Sequence, residues 1–253
     1  MKIRYLSDLH LEFIRPHKMH KFLRNIQPNM KEICILAGDI GNPLHSNDNY
    51  DIFMKFVNEN FQRTFVITGN HEYYNKTKNI REIDDYLVEY FKQYENISFL
   101  NNTYECYEDT CFIGSTLWSK ITNPLYEIND VYSIKDLDYI KYNRMNRQCI
   151  DFLDETISAH NNCIVITHHG PSRSFIDPKY TIPRMLPYNQ WFYCDMDEFI
   201  KKYKNNIKCW FYGHTHTPST HIMHDIPFLC NPIGYPNENP KNDYNKIFTL
   251  SPI

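Results

Sequence analysis

The chain has 253 residues, 42% hydrophobic and 23% charged, with a formal net charge of −3. A chain of that length buries a full core without staples. The charge balance gives no global basic field for nucleic acid, though it leaves room for a local basic patch, and no run approaches the roughly 18 apolar residues of a membrane span.

In chain order, the opening MKIRYLSDLH does not read as a signal peptide, because charges and Asp8 interrupt its apolar residues. IRYLSDLH (3–10) is instead a short apolar run ending in a polar cluster. HKMHKFLRNI (17–26) spaces its apolar residues three and four apart, a helical pattern. The same alternation repeats with ICILAGD (33–39), YDIFMKFVNENF (50–61), FVITGNH (65–71) and IREIDDYLVEYFKQY (80–94). The runs are four to six residues and β-branched or aromatic, which favours buried strands. ISFL, TYECYE and CFIGSTLW (97–118) predict a β meander. RMNRQCIDFLDETISAH (144–160) predicts a further helix, and CIVITHH (163–169) and CWFYGHTH (209–216) two further strands. THIMH, IPFLCNP and IFTLSP near the end are short β segments. Strand and helix alternating argue for an α/β fold, and the extra β segments for two mixed sheets.

Two stretches resist assignment, 119–142 and the proline- and aromatic-rich 171–194. Structureless loops of that length are uncommon unless functional, so both are expected to border the site. Asp177 and Arg184 lie in the second and are expected to be solvated. The eight cysteines are scattered, with no C-x-x-C pair. Cys34, Cys163 and Cys209 sit inside apolar runs, where a free thiol packs as a small hydrophobe. The expectation is a reducing, cytoplasmic setting.

Each of the five strand-like runs ends in possible metal ligands: Asp8 and His10, Asp39, Asn70, His168, then His214 and His216. A lone histidine after a strand means little. Seven nitrogen and oxygen donors at equivalent places on five strands mean more, because such ends converge on one crevice. Asp, His and Asn without Cys suit manganese, iron or zinc in an open site, not a thiolate-bound structural zinc. Seven donors exceed one tetrahedral ion, so two ions sharing a carboxylate are expected. Paired ions can hold a bridging hydroxide and clamp a phosphoryl group. His17, His20, His45, His160, His221 and His224 have no such context and are expected on the surface or in packing.

DLH, GDIG, GNHE, THHGPS and GHTH stand in the order and positions of the calcineurin-like metallophosphoesterase superfamily, which the chain resembles from Met1 to about Tyr235. The flanks SDLHLEF, GNHEYY, GSTLW and CNPIGY resemble its small, single-domain prokaryotic-type branch. There the last motif usually reads N-P-R-G-Y, whereas Ile233 replaces the arginine here. The resemblance implies one domain over residues 1–253, a four-layer α-β-β-α sandwich with two mixed sheets, and a metal site at the strands' carboxyl ends. It implies that Asp8, His10 and His216 hold one divalent metal, that Asn70, His168 and His214 hold the other, and that Asp39 serves both. His71 would stabilise or protonate the leaving oxygen. Of the pair His168 and His169, the first is usually the ligand; His169 then sits behind the ligands or faces substrate.

These readings describe a metal-dependent hydrolase of phosphate mono- or diesters, with the diester favoured by analogy. The substrate class includes nucleotides. A nuclease is disfavoured by the lack of basic excess, and a catalytically silent scaffold binding a protein partner by the intact ligand set. No membrane association is expected, and the oligomeric state is not readable.

Overall fold

The computed structural model describes residues 1–45, 48–239 and 242–250. Its first half alternates strand and helix: β1 (Lys2–Leu6), α1 (Met19–Leu23), β2 (Ile33–Ala37), α2 (Asn49–Asn60), β3 (Arg63–Ile67), α3 (Ile80–Phe91) and β4 (Ile97–Phe99). There follow β5 (Thr103–Tyr107), β6 (Thr110–Ser115), α4 (Asn129–Ser133), α5 (Tyr139–Ala159), β7 (Cys163–Thr167), α6 (Asp197–Lys202) and β8 (Ile207–Tyr212). β9 (Ser219–Met223), β10 (Ile226–Cys230) and β11 (Ile247–Thr249) complete the order.

The strands form two mixed sheets, ordered β11-β1-β2-β3-β4 and β5-β6-β7-β8-β10-β9. In the first, β1 to β4 run parallel and β11 lies antiparallel on β1. In the second, β6, β7, β8 and β10 run parallel, with β5 and β9 antiparallel at the edges. Alternate side chains explain the stacking, because successive residues of a strand point to opposite faces. Ile3, Tyr5, Ile33, Ile35, Phe65 and Ile67 of the first sheet meet Phe112, Ile164, Ile166 and Phe211 of the second in one buried cluster. Phe65 and Phe112 stack there at 4.0 Å between ring centroids. The other faces carry Cys34, Leu36, Val165 and Trp210, which join the larger cluster with Phe53 and Val57 of α2 and Leu153 and Ile157 of α5. The layers are therefore α-β-β-α.

The expected meander is corrected. Ile97–Phe99 lies parallel to β3 in the first sheet, and of the three segments just β5 and β6 pair with each other, as a hairpin in the second. A strand reached through a crossover helix pairs with the strand before that helix, and α3 is such a helix. It begins at a capping box made by Asn79 and Glu82. Helix α5 starts five residues earlier than its apolar pattern, because the Asp138 side chain accepts the Lys141 N–H at 2.7 Å and caps it.

Six cysteines are free and buried. Cys106 and Cys111 face each other across the β5–β6 hairpin and form a disulfide, which the expectation of a reducing setting did not include. No described helix is long and apolar enough to cross a membrane.

Candidate metal centre

The loops that follow β1 and β2 are zipped together. The Asp8 N–H donates to the Gly38 carbonyl and the His10 N–H to the Asp39 carbonyl, each at 3.0 Å. Five of the seven donor residues have left-handed backbones: Asp8 (φ 54°), His10 (φ 48°), Asp39 (φ 53°), His214 (φ 70°) and His216 (φ 49°). Asp and His enter this region more readily than most residues, yet each such residue costs on the order of 1–3 kcal/mol. Hydrogen bonds from neighbouring loops hold them there. The Asp8 carboxylate accepts the His214 N–H at 3.0 and 3.1 Å, and Asp39 Oδ1 accepts the His71 N–H at 2.8 Å. Gly69 has no Cβ for a different reason: one there would strike the Asp39 carboxylate and the His168 ring.

All seven expected donors come together. His10 Nε2 lies 3.0 Å from His216 Nε2, which lies 3.4 Å from Asp8 Oδ1. His168 Nε2 lies 3.0 Å from Asn70 Oδ1, 3.2 Å from His214 Nδ1 and 3.3 Å from Asp39 Oδ2. Asp39 Oδ2 is also 4.0 Å from His10 Nε2, so this carboxylate borders both groups.

The donor atoms suit cations. His168 Nδ1 donates to the Ala37 carbonyl (3.0 Å), His214 Nε2 to the Trp191 carbonyl (3.3 Å) and His216 Nδ1 to Glu238 Oε2 (2.6 Å). Each ring thus turns its other nitrogen, with a lone pair, into the cluster. The charges point the same way. Asp8 and Asp39 are buried, yet both carboxyls are held below the usual range, because His216 for Asp8 and His168 for Asp39 outweigh the burial. Burial disfavours the His168 imidazolium, but Asp39 and Asp8 push its pKa up to about 10. Asp8 and Glu238 do the same for His216, to about 9. Two buried carboxylates therefore demand positive charge at these nitrogens, and divalent cations fit that demand with the donor set present.

His71 sits beside this cluster. Its Nδ1 lies 3.3 Å from Glu12 Oε1 and its Nε2 3.2 Å from the Tyr235 hydroxyl. Burial lowers its pKa, but Asp39 and Glu12 outweigh that and raise it. Glu12 is itself held down at about 2, its burial outweighed by His10 and His71.

Several supporting residues carried no separate expectation. Glu72 accepts N–H groups from Gly69, Asp39 and Ile40 at 2.7, 3.1 and 2.8 Å, tying the loop after β3 to the loop after β2. Asp130, in the unassigned 119–142 stretch, accepts the Asn70 Nδ2–H at 2.8 Å and the Tyr74 hydroxyl at 2.7 Å. The Asn70 amide oxygen is thereby aimed at His168. Glu12, Glu72, Tyr74 and Tyr235 all sit in the motif flanks, which was the available signal; Asp130 had none.

The expectation that His169 can face substrate is corrected. It is fully buried behind His214 (4.2 Å between ring centroids), with Nε2 3.0 Å from the Tyr142 hydroxyl and Nδ1 3.2 Å from the Thr116 carbonyl. The six histidines without motif context lie outside the cluster, and Arg184 is exposed. Both long stretches border the site. Ile128 and Asp130 from the first, and Ile176, Tyr180, Met185 and Phe192 from the second, line a cavity of about 390 Å³ that opens on Asp39, Asn70 and His71.

A double α/β layer with Asp, His and Asn gathered at the carboxyl edge is the architecture of metallophosphoesterases. The calcineurin-like phosphoesterase family matches residues 1–218, and the chain belongs to that family. An uncharacterised protein of Acanthamoeba polyphaga mimivirus, L509, is 32% identical over 272 residues, covering 96% of this chain and 94% of that one. The crystal structure of phosphopantetheinyl hydrolase (PptH) from Mycobacterium tuberculosis superposes with a TM-score of 0.77 at 15% identity, over 99% of this chain and 96% of that one. At that identity the likeness speaks for the fold.

Proposed function

We propose that the protein is a phosphodiesterase that works with two divalent cations, manganese foremost and iron or zinc as alternatives. Asp8, His10 and His216 hold the first with Asp39; Asn70, His168 and His214 hold the second with Asp39. The observation that carries this reading is the pair of donor groups meeting at one buried carboxylate. When bound, the cations supply Lewis-acid charge to the phosphoryl oxygens and make water acidic enough to serve as nucleophile.

The chain's own residues do the rest. His71, whose pKa Asp39 and Glu12 raise, donates its Nε2 proton to the leaving oxygen. Tyr235, 3.2 Å from that nitrogen, steadies the ring. Asp130 fixes the Asn70 amide so that its oxygen faces His168, where it would be free to hold a cation. The cavity favours a diester. No lysine or arginine lines it among the described residues. A dianionic monoester gains no lysine or arginine there for its second charge, whereas a monoanionic diester needs none and gains the apolar walls. The named activity of the M. tuberculosis protein, on a phosphopantetheinyl group, is one example of an extended, uncharged arm on a phosphate.

The test strips the protein with chelator, reloads it with manganese, iron or zinc, and compares bis(p-nitrophenyl) phosphate with p-nitrophenyl phosphate. Metal-dependent hydrolysis with the diester preferred is expected. Two bound equivalents without hydrolysis of either ester would mean a silent scaffold, and a tenfold monoester preference would refute the diester assignment.

A further inference from the structure

We propose that two cavities meeting at Tyr235 are substrate subsites of opposite character. The substrate is then a phosphodiester with one uncharged arm and one arm that carries a further anionic group. This rests on the phosphodiesterase reading above.

The first subsite is the cavity of about 390 Å³ over the donor cluster. Ile128, Ile176, Met185 and Phe192 make it apolar, and Asp130 and Glu238 are its carboxylates outside the cluster. A negative arm there would face those carboxylates with no lysine or arginine among the described lining residues.

Across Tyr235 lies a second cavity, of about 670 Å³. Arg15, Lys18 and Lys21 line it, and no Asp or Glu does among the described residues. The lysine and arginine ion pairs among the described residues are made by Arg4, Arg63, Lys92, Lys179, Lys201 and Lys202, and so by none of these three. Their positions are set by structure. Pro16 opens a 3₁₀ turn that leads into α1, and Met19 and Phe22 anchor that helix in the core. Lys18 and Lys21, three apart, share one face. Ile233 also lines this cavity, so the basic character comes from the segment before and within α1.

Tyr235 belongs to both cavities and stacks on His10 at 4.4 Å between ring centroids. Phe13, 53% exposed, meets it edge-on at 5.5 Å. The reacting phosphate sits at the donor cluster, the neutral arm fills the first cavity, and the second arm passes this aromatic pair to reach three cations that form no ion pair among the described residues.

Two probes that share one leaving group separate the outcomes: thymidine 5′-(p-nitrophenyl phosphate) and the same ester carrying a 3′-phosphate. With manganese-loaded protein at low salt, the 3′-phosphate is expected to raise kcat/KM about tenfold, mainly through KM, the combined effect of three partly exposed charge contacts. The preference shrinks as salt rises. In the R15A/K18A/K21A variant, or in K18Q/K21Q should the triple variant fold poorly, the ratio of the two kcat/KM values falls toward one. Equal kcat/KM for both probes in the unmodified protein, or a ratio that neither variant moves, overturns the subsite proposal and leaves the phosphodiesterase standing. Hydrolysis of neither probe by metal-loaded protein removes the parent reading and this proposal with it.

Discussion

Between the two sheets, Ile35, Phe65, Phe112 and Ile164 are fully buried and offer no polar side-chain atom. Just past the carboxyl ends of β1, β2 and β8, Asp8, His10, Asp39, His214 and His216 hold left-handed backbones and crowd carboxylates against imidazoles. The first region follows every local preference of a parallel sheet; the second opposes several of them. Strain of on the order of 1–3 kcal/mol per residue persists only where the surroundings over-determine it. The dry layer supplies that rigidity, so stability and chemistry are divided along the length of each strand.

The sharpest way to break this division is at Asp39. Asp39→Asn is expected to lower turnover of an aryl diester by about a thousandfold or more, because a carboxylate next to both donor groups loses its charge. Metal content by mass spectrometry should fall while the circular dichroism spectrum stays native; full activity in the variant would break the comparison. Phe112→Ala tests the other region. Removing one ring of the Phe65–Phe112 stack is expected to cost about 3–5 kcal/mol in denaturant unfolding, with turnover per folded molecule retained. His71→Ala should keep both metals and lose about a hundredfold in turnover, most for poor leaving groups. Loss of metal in that variant would contradict its assignment as an acid.

The smallest expected effect concerns Asp84, which lies in neither region. Its Oδ1 accepts the Tyr73 hydroxyl at 2.6 Å and the Asn101 Nδ2–H at 2.8 Å. Burial pushes its pKa up to about 6 despite those bonds. A carboxyl raised in the folded state contributes stability that is fully present below its unfolded pKa and lost as pH rises through about 6. Asp84→Asn keeps an acceptor oxygen and cannot ionise. It should therefore be more stable than the unmodified protein at pH 7, by on the order of 2 kcal/mol, and lose that advantage near pH 4. An advantage independent of pH would reject burial as the cause.

Much of the strand framework was legible, because a β-branched run ending in a ligand type repeats five times and each end reinforces the others. The allocation of β4 and β5 to different sheets was not, since short β segments in a row look alike whichever sheet they join. His169 misled because adjacent residues beyond a strand point in opposite directions, and only one ring of the pair reaches the cluster. Asp130 lies 60 residues from Asn70, in a stretch with no period to read. The partnership of Cys106 and Cys111 depends on hairpin register, which their spacing alone does not declare.

The end of β1 is closed by a distant part of the chain. The Ser7 N–H donates to the Asn231 carbonyl, the Ile233 N–H to the Ser7 carbonyl and the Gly234 N–H to the Asp8 carbonyl. Domains acquire structure from the N-terminal side during synthesis, and contacts of large sequence separation form slowly. β1, β2 and β3 can emerge from the ribosome and pair while His214, His216 and this clasp are still being translated. Completion of the centre is thus late, and a growing chain carries Asp8, His10, Asp39 and Asn70, four of the seven donors, before it can close around anything.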